Sequence, residues 1–413
     1  MGILAMHQVA GIPLSVSRTF GKCGPPSSVA AAPPRPVIAP APLESVPPGF
    51  ASRILARIPW FTLTLSAVLV ARFLAELRAA TDTLAPRSPG HFTLLAMGAS
   101  DRAQVIDKSE WWRLFTATTL HGSPAHLIGN LTTFLIVGFL LEPMIGIGWF
   151  AAIYFTGGFC GAVASTMFNG ADMLSVGASG AIMATLAALF TLSFHAGAPR
   201  PGLMRRVAGG SLFPALMPAV AHGGAVVDIN AHLGGCMAGV GIGFLMLIVW
   251  NDDEETVPGR TVAAVIAGLW VALTAWAFAI SSHSYVQYAR PGLDYIPTEK
   301  MPADVESMKT DSYSLVQDYP KDPRAHMFRG LYLLEQHDVA DAEPYFRDAR
   351  RLGESSPVMT REFQDWNLAL LALTVRAQNR GAEAGTLIAP LCARMAALDL
   401  RTQQTLQITK LCN

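Results

Sequence analysis

The chain has 413 residues, of which 51% are apolar and only 15% charged, and its 30 basic residues are matched by 30 acidic ones. A chain this apolar is not an ordinary soluble protein, and a balanced charge offers no basic face for nucleic acid. Its cysteines form neither a CxxC pair nor a zinc spacing, and there is no HExxH motif or glycine-rich phosphate loop, so neither metal nor cofactor is expected.

Residues 1–50 have no periodicity and turn rich in Pro, Ala and Ser from Gly24 to Pro48, which reads as a disordered tail. The lack of acidic residues before Glu44, beside Arg18, Lys22 and Arg35, also fits an organelle transit peptide. Seven apolar runs follow, at 59–77, 124–142, 147–168, 177–195, 207–224, 230–250 and 261–281. Each is near the roughly 20 residues that cross a bilayer as a helix. The fifth is interrupted by Gly209-Gly210, Pro214 and Pro218, a kink that neighbouring helices can tolerate.

Arg53 and Arg57 before the first run, and Arg200, Arg205 and Arg206 between the fourth and fifth, place those segments in the cytoplasm. The N-terminus is then inside and everything after the seventh run outside. The expected location is a bacterial inner (plasma) membrane, with a eukaryotic organelle as the open alternative. Arg72 and Glu76 lie one turn apart near the outer end of the first run and are expected to pair or to snorkel. The long segment 79–123 carries Glu110-Trp111-Trp112-Arg113-Leu114-Phe115, aromatics beside charges that suit a membrane interface.

Beyond the seventh run the chain is charged and helical. Gly330, Ala342, Phe346 and Ala349 have the spacing of a tetratricopeptide repeat, with Asp322-Pro323 ahead of its first helix. A second helix pair is expected over 362–378 and 382–397, with Gly381 at the turn. An outer helical domain of this kind offers a surface for a peptide or protein partner. Cys392 and Cys412 fall within it and can pair if the compartment is oxidising, whereas Cys160 and Cys236 read as packing residues. The expected division is a tail (1–50), a six-helix core (51–250), a cytoplasmic loop with a seventh membrane helix (251–284) and a soluble helical domain (285–413).

In that topology the second, fourth and sixth membrane helices all run from outside to inside. Ser179, in Gly177-Ala178-Ser179-Gly180, opens the fourth, and His232 lies in the first turn of the sixth, so the two share a depth. Small residues recur every four positions behind each: Gly180, Ala184 and Ala188 on one helix, Ala231, Gly235 and Gly239 on the other. Such stripes let membrane helices approach closely. A neutral imidazole beside a serine can take its proton during attack on a carbonyl and return it to the leaving amine. His126 and Asn130, four apart in the first two turns of the second helix, are candidate donors to the oxyanion, with the backbone N–H of Ser179 as a third. Asp228, four residues before His232, is expected in an exposed loop, and His121, His195 and His222 at helix ends in the interface.

These residues resemble the rhomboid intramembrane serine proteases over about 90–250. The likeness rests on Glu110–Thr116, on His121, His126 and Asn130 in HGSPAHLIGN, on Leu141-Glu142, on Gly177–Ala181 and on Ala231–Gly235. It implies a Ser179–His232 dyad that needs no acid, oxyanion contacts from His126 and Asn130, and a structural pair in Trp112 and Arg113. It also implies an all-α polytopic fold, a six-helix core plus a seventh transmembrane helix, here followed by the TPR-like helical domain. Substrates would be transmembrane proteins cut near the outer face of the bilayer. Met183 departs from the resemblance, since four residues after the nucleophile the family often has Tyr or Phe packed on the imidazole; a thioether can also pack on a ring. The competing reading is a catalytically silent membrane adaptor that binds client helices and recruits partners through its C-terminal domain.

Overall fold

The computed structural model describes residues 58–85, 87–170, 173–217, 227–297, 300–302 and 304–412. The expected tail, Arg53, Arg57, Pro218 and His222 lie outside them. Helix α1 (Trp60–Arg78) leads to a small hairpin, β1 (Thr83–Ala85) with β2 (Ser88–Pro89), then to α2 (His91–Ala96), one π-helical turn (Ala103–Asp107) and α3 (Arg113–Thr116). Six further helices follow: α4 (Pro124–Ile145), α5 (Ile147–Phe168), α6 (Ser179–Leu192), α7 (Pro201–Leu216), α8 (Ile229–Val249) and α9 (Arg260–Asp294). Helices α1, α4, α5, α8 and α9 are each long and apolar enough to cross a membrane, and α6 is a shorter apolar helix. The protein is an all-α, multi-pass integral membrane protein.

Two helices depart from the hydropathy pattern for a physical reason. Helix α7 starts at Pro201, ahead of the expected 207–224, because Arg205 and Arg206 end an apolar run without ending a helix. Proline suits a first turn, and the two guanidinium groups donate back to the carbonyls of Pro201 and Gly202. Helix α9 runs past residue 281 to Asp294 because its polar end has partners: Tyr285 donates to the carbonyl of Ala79 (2.7 Å) and Tyr288 to Glu110 (2.6 Å).

Helix α1 is pinned to the far end of α4. Glu142, 4% exposed, accepts the backbone N–H groups of Phe61 and Thr62 (both 2.9 Å) and the Thr62 hydroxyl (2.6 Å). It thereby satisfies donors that a helix start leaves open.

At the centre lies α6, buried from Gly180 to Leu189. The small-residue stripes do meet. A side chain at Gly235 would strike the Gly180 carbonyl, one at Gly239 would strike Ala184, and one at Gly243 would meet Ala188 at 3.3 Å. The paired numbers rise together, so α6 and α8 run parallel. Helix α5 wedges against both in the opposite sense, with Gly157 on Ala184, and Gly161 3.3 Å from Gly180 and 2.7 Å from the Ala231 carbonyl by the same measure. That third helix in the joint was not anticipated.

The segment between α1 and α4 is itself folded around Arg113. This side chain is wholly buried, donates to the carbonyls of Leu95 (2.7 Å) and Ala99 (2.9 Å), pairs with Glu110 (2.6 Å) and lies between the rings of Trp112 and Tyr288. Arg72 and Glu76 form no salt bridge with one another, the first of the two expectations for them. Arg72 donates to the Met97 carbonyl (2.7 Å), and Glu76 accepts the backbone N–H of His121 (3.1 Å). Each finds a nearer backbone partner left open by the folded segment.

The C-terminal region holds α10 (Val305–Asp318), α11 (Pro323–Glu335), α12 (Val339–Ser355), α13 (Arg361–Ala377), α14 (Gly381–Cys392) and α15 (Leu400–Thr409). Asp322 caps α11, and a side chain at Gly330 would lie 2.9 Å from the Phe346 ring, which is why the α11–α12 crossing needs glycine. Cys392 and Cys412 form a disulfide. The region is packed onto the α1–α4 segment: Val358 and Met359 share a cluster with Phe92, Leu95, Tyr288 and Tyr295, and Lys108 donates to the Pro357 carbonyl.

Candidate active site

The approach to Ser179 is held from both sides. Ser175 and Ser100 exchange backbone hydrogen bonds (2.7 and 3.1 Å), and Gly177 donates to the Ala117 carbonyl (3.0 Å). Gly177 then turns with φ +127°, a conformation that side chains rarely adopt. A Cβ there would also lie 2.7 Å from His126 Cε1, 2.8 Å from its Nε2 and 3.6 Å from Asn130 Nδ2. Glycine thus serves twice, and the contact brings His126 and Asn130 against the loop that carries the serine. Helix α6 begins at Ser179 with no side-chain cap, which leaves its first N–H groups to other acceptors.

Helix α4 is started by Ser123, whose hydroxyl accepts the His126 N–H (3.2 Å), with Pro124 in the first turn. This start sets His126 and Asn130 on adjacent turns of one face. Asn130 is 9% exposed, and its Nδ2 lies 3.1 Å from His121 Nε2. His121, expected at a helix end in the interface, is packed inside the protein against Asn130. It is wholly buried, and burial, reinforced by His126 with its ring 5.1 Å away, pushes its pKa down to about 3. A neutral ring has one acceptor nitrogen, so His121 can take one of the two amide hydrogens of Asn130 and leave the other free.

His232 is 7% exposed, and its Nδ1 lies 2.9 Å from the carbonyl of Ala215 at the end of α7. A carbonyl can only accept, so Nδ1 carries a proton, and Nε2 is the ring nitrogen left to act as an acceptor. The Ser179 hydroxyl and the His232 ring are not hydrogen-bonded in the structure; such contacts often tighten only when substrate is bound. Gly180 and Gly235 form the crossing that brings the two helices together, and Met183 is buried in the same core.

Asp228 is not in an exposed loop. It caps α8, its Oδ1 accepting the N–H of Ala231 (2.9 Å) and the amide of Asn169 (2.9 Å). Its Oδ2 accepts the hydroxyls of Ser165 and Ser175 (both 2.6 Å). The His232 ring is oriented by a carbonyl, so Asp228 does not complete a serine–histidine–aspartate triad. His195 is 6% exposed and stacked on Trp250, just past the end of α8, with 4.0 Å between ring centres.

Residues 108–249 match the Rhomboid domain. The chain is 35% identical over 167 residues to RHOMBOID-like protein 1 of Arabidopsis thaliana, covering 39% of this chain and 41% of that protein. It is 35% identical over 149 residues to Rhomboid protease GluP of Bacillus subtilis, covering 36% and 28%, and 29% identical over 202 residues to Rhomboid-like protease 1 of Toxoplasma gondii, covering 48% and 68%. The rhomboid match and these relatives support the rhomboid family, and at family level they support intramembrane proteolysis. The chain spans less than half the length of the first two, which come from a plant and a bacterium.

Of the residues expected at the site, the fold brings Gly177, His126 and Asn130 into contact and crosses the Ser179 and His232 helices at Gly180 and Gly235. Trp112 and Arg113 lie apart, in the folded segment between α1 and α4. Three features went unread: His121 behind Asn130, Asp228 as a cap, and the α5 glycines. Only Asp228 had a legible signal, a capping residue just ahead of an apolar run.

Proposed function

We propose that the chain is an intramembrane serine endopeptidase that cuts transmembrane proteins near the outer face of the bilayer. The observation that carries this reading is Gly177. Its backbone turns the chain into Ser179 while lying against His126 and Asn130, which gathers a nucleophile and oxyanion donors in one place.

In this reading Nε2 of His232 takes the Ser179 proton as Oγ attacks the scissile carbonyl. The developing oxyanion is held by His126, the free Asn130 N–H and the backbone N–H of Ser179. The imidazolium then protonates the leaving amine, and water releases the acyl group by the same route in reverse. The Ala215 carbonyl fixes the tautomer that an acid fixes in a triad, so a dyad suffices.

The finer organisation belongs to the same proposal. Helix α9 is the seventh span after a six-helix core, and the α11–α12 and α13–α14 hairpins form a TPR-like domain on the outer side that binds a peptide or protein partner. Two observations favour that orientation: the arginines of 200–206 suit the cytoplasmic side, and the Cys392–Cys412 disulfide suits an oxidising compartment. The likeness to both plant and bacterial proteins leaves the membrane, bacterial or organellar, to be found by localisation.

The test is full-length protein in liposomes with a transmembrane reporter and a serine-reactive fluorophosphonate. Cleavage and labelling should both be lost in Ser179→Ala and His232→Ala variants that remain folded. An unlabelled, non-cleaving wild-type protein would favour the adaptor reading, and full activity of both variants would overturn the dyad.

A further inference from the structure

Asp228 sits four residues before His232, and Ser175, which donates to it, sits four residues before Ser179. One carboxylate thus touches both strands of chain that feed the proposed dyad, without touching either of its members. It is half-buried, and all four of its hydrogen bonds go to separate anchor points. Ser165 lies on the last turn of α5 and Asn169 just past its end, Ser175 on the segment paired with Ser100, and Ala231 on the first turn of α8. A second link runs parallel to these, from the Asn230 amide to Asn169 Oδ1 at 2.6 Å.

We infer that Asp228 is a positioning residue that sets the separation of Ser179 from His232. The inference rests on the serine-peptidase reading above. The glycine crossings fix how closely α6 and α8 approach, and Thr191 packs against Gly243 toward their far end, but at the level of the dyad the crossing is Gly180 on Gly235, with no side chain on either to lock the register. The carboxylate supplies that lock. It ties the entrance of α8 to the end of α5 and to the segment entering α6, at the level where the dyad lies. A slide of about 1 Å at this level is enough to cost about a hundredfold in rate.

The role is geometric rather than electrostatic, which gives it a distinctive signature. An asparagine at 228 can keep every link: its carbonyl oxygen accepts from Ala231 and Asn169, and its amide donates to the two serine hydroxyls, which accept as readily as they donate. Asp228→Asn should therefore retain turnover within a few fold, while Asp228→Ala should lose about a hundredfold in kcat with little change in KM. A carboxylate acting on the imidazolium charge would instead lose activity in both variants.

The experiment measures reporter cleavage and fluorophosphonate labelling rate for wild type, Asp228→Asn, Asp228→Ala, Ser175→Ala and the Asp228→Ala/Ser175→Ala pair in liposomes. Ser175→Ala keeps the α8 cap and removes only the serine-side link, so it reports on the lock even if Asp228→Ala does not fold. The expected result is rescue by asparagine, a partial loss in Ser175→Ala and a pair no worse than Asp228→Ala alone. Wild-type turnover in Ser175→Ala, equal loss in Asp228→Asn and Asp228→Ala, or fully multiplicative losses would each overturn the inference. A wild-type protein that neither cleaves nor labels would instead mark failure of the peptidase reading itself.

Discussion

Replacing Gly177 with alanine separates the backbone and contact roles of this residue. At φ +127° an alanine pays roughly 1–3 kcal/mol of backbone strain, which lowers stability without reporting on chemistry. The second effect is steric. The new Cβ would lie 2.7 Å from His126 Cε1, against the roughly 3.5–4.0 Å that carbon atoms prefer, so the ring must retreat by about 1 Å. If His126 donates to the oxyanion, that retreat removes one donor, which typically costs about 100- to 1,000-fold in kcat, or about 2.7–4 kcal/mol. The assay is kcat and KM for a transmembrane reporter in liposomes, with thermal unfolding measured alongside. Gly177→Ala should lower kcat at least about a hundredfold and leave KM nearly unchanged. In a His126→Ala background the same change should cost far less, because the ring it displaces is already gone. Wild-type turnover in Gly177→Ala, or losses that simply multiply in the double variant, would refute the link between this glycine and the oxyanion site.

Glu142→Ala should destabilise the membrane helices by at least about 3 kcal/mol in micelle unfolding, since two N–H groups and a hydroxyl lose their acceptor at about 1–3 kcal/mol each; an unchanged midpoint would remove its anchoring role. Reducing the Cys392–Cys412 bond, which closes a separation of 20 residues, should cost the C-terminal helices about 3 kcal/mol in a proteolysis assay and leave labelling of Ser179 unaltered. Hydrogen bonds from Arg347 and Arg380 hold the Glu383 carboxyl below its ordinary 4.5, so its stabilising contribution is complete above that pH and is lost as pH falls through the lower folded value. Melting of this domain should accordingly fall off below about pH 4.5, and Glu383→Gln should flatten that acid limb; an identical limb in both proteins would rule the cluster out.

How much of this was legible depended on whether a property belongs to one segment or to a pair. Hydropathy belongs to one segment, and 147–168 coincides with α5 residue for residue. Where a helix has charged residues but also backbone partners, hydropathy misplaces its end, as at Arg205 in α7 and beyond residue 281 in α9. The stripes on α6 and α8 were readable because small residues repeat at the helical period. The α5 wedge was not, since Gly157 and Gly161 look like ordinary membrane-helix glycines until a backbone lies against them. His121 and Asp228 mark the same limit for polar groups. A histidine ahead of a helix read as interfacial and an aspartate ahead of another as exposed, because a sequence does not show what closes over them. Both are enclosed by other segments, His121 by Glu76 and by the next helix at Asn130, and Asp228 by the distant Ser165, Asn169 and Ser175. A polar group closed off from water must find a protein partner. The polar residues hardest to place from sequence are thus the ones that tie distant segments together, and here they surround the residues proposed to do the chemistry.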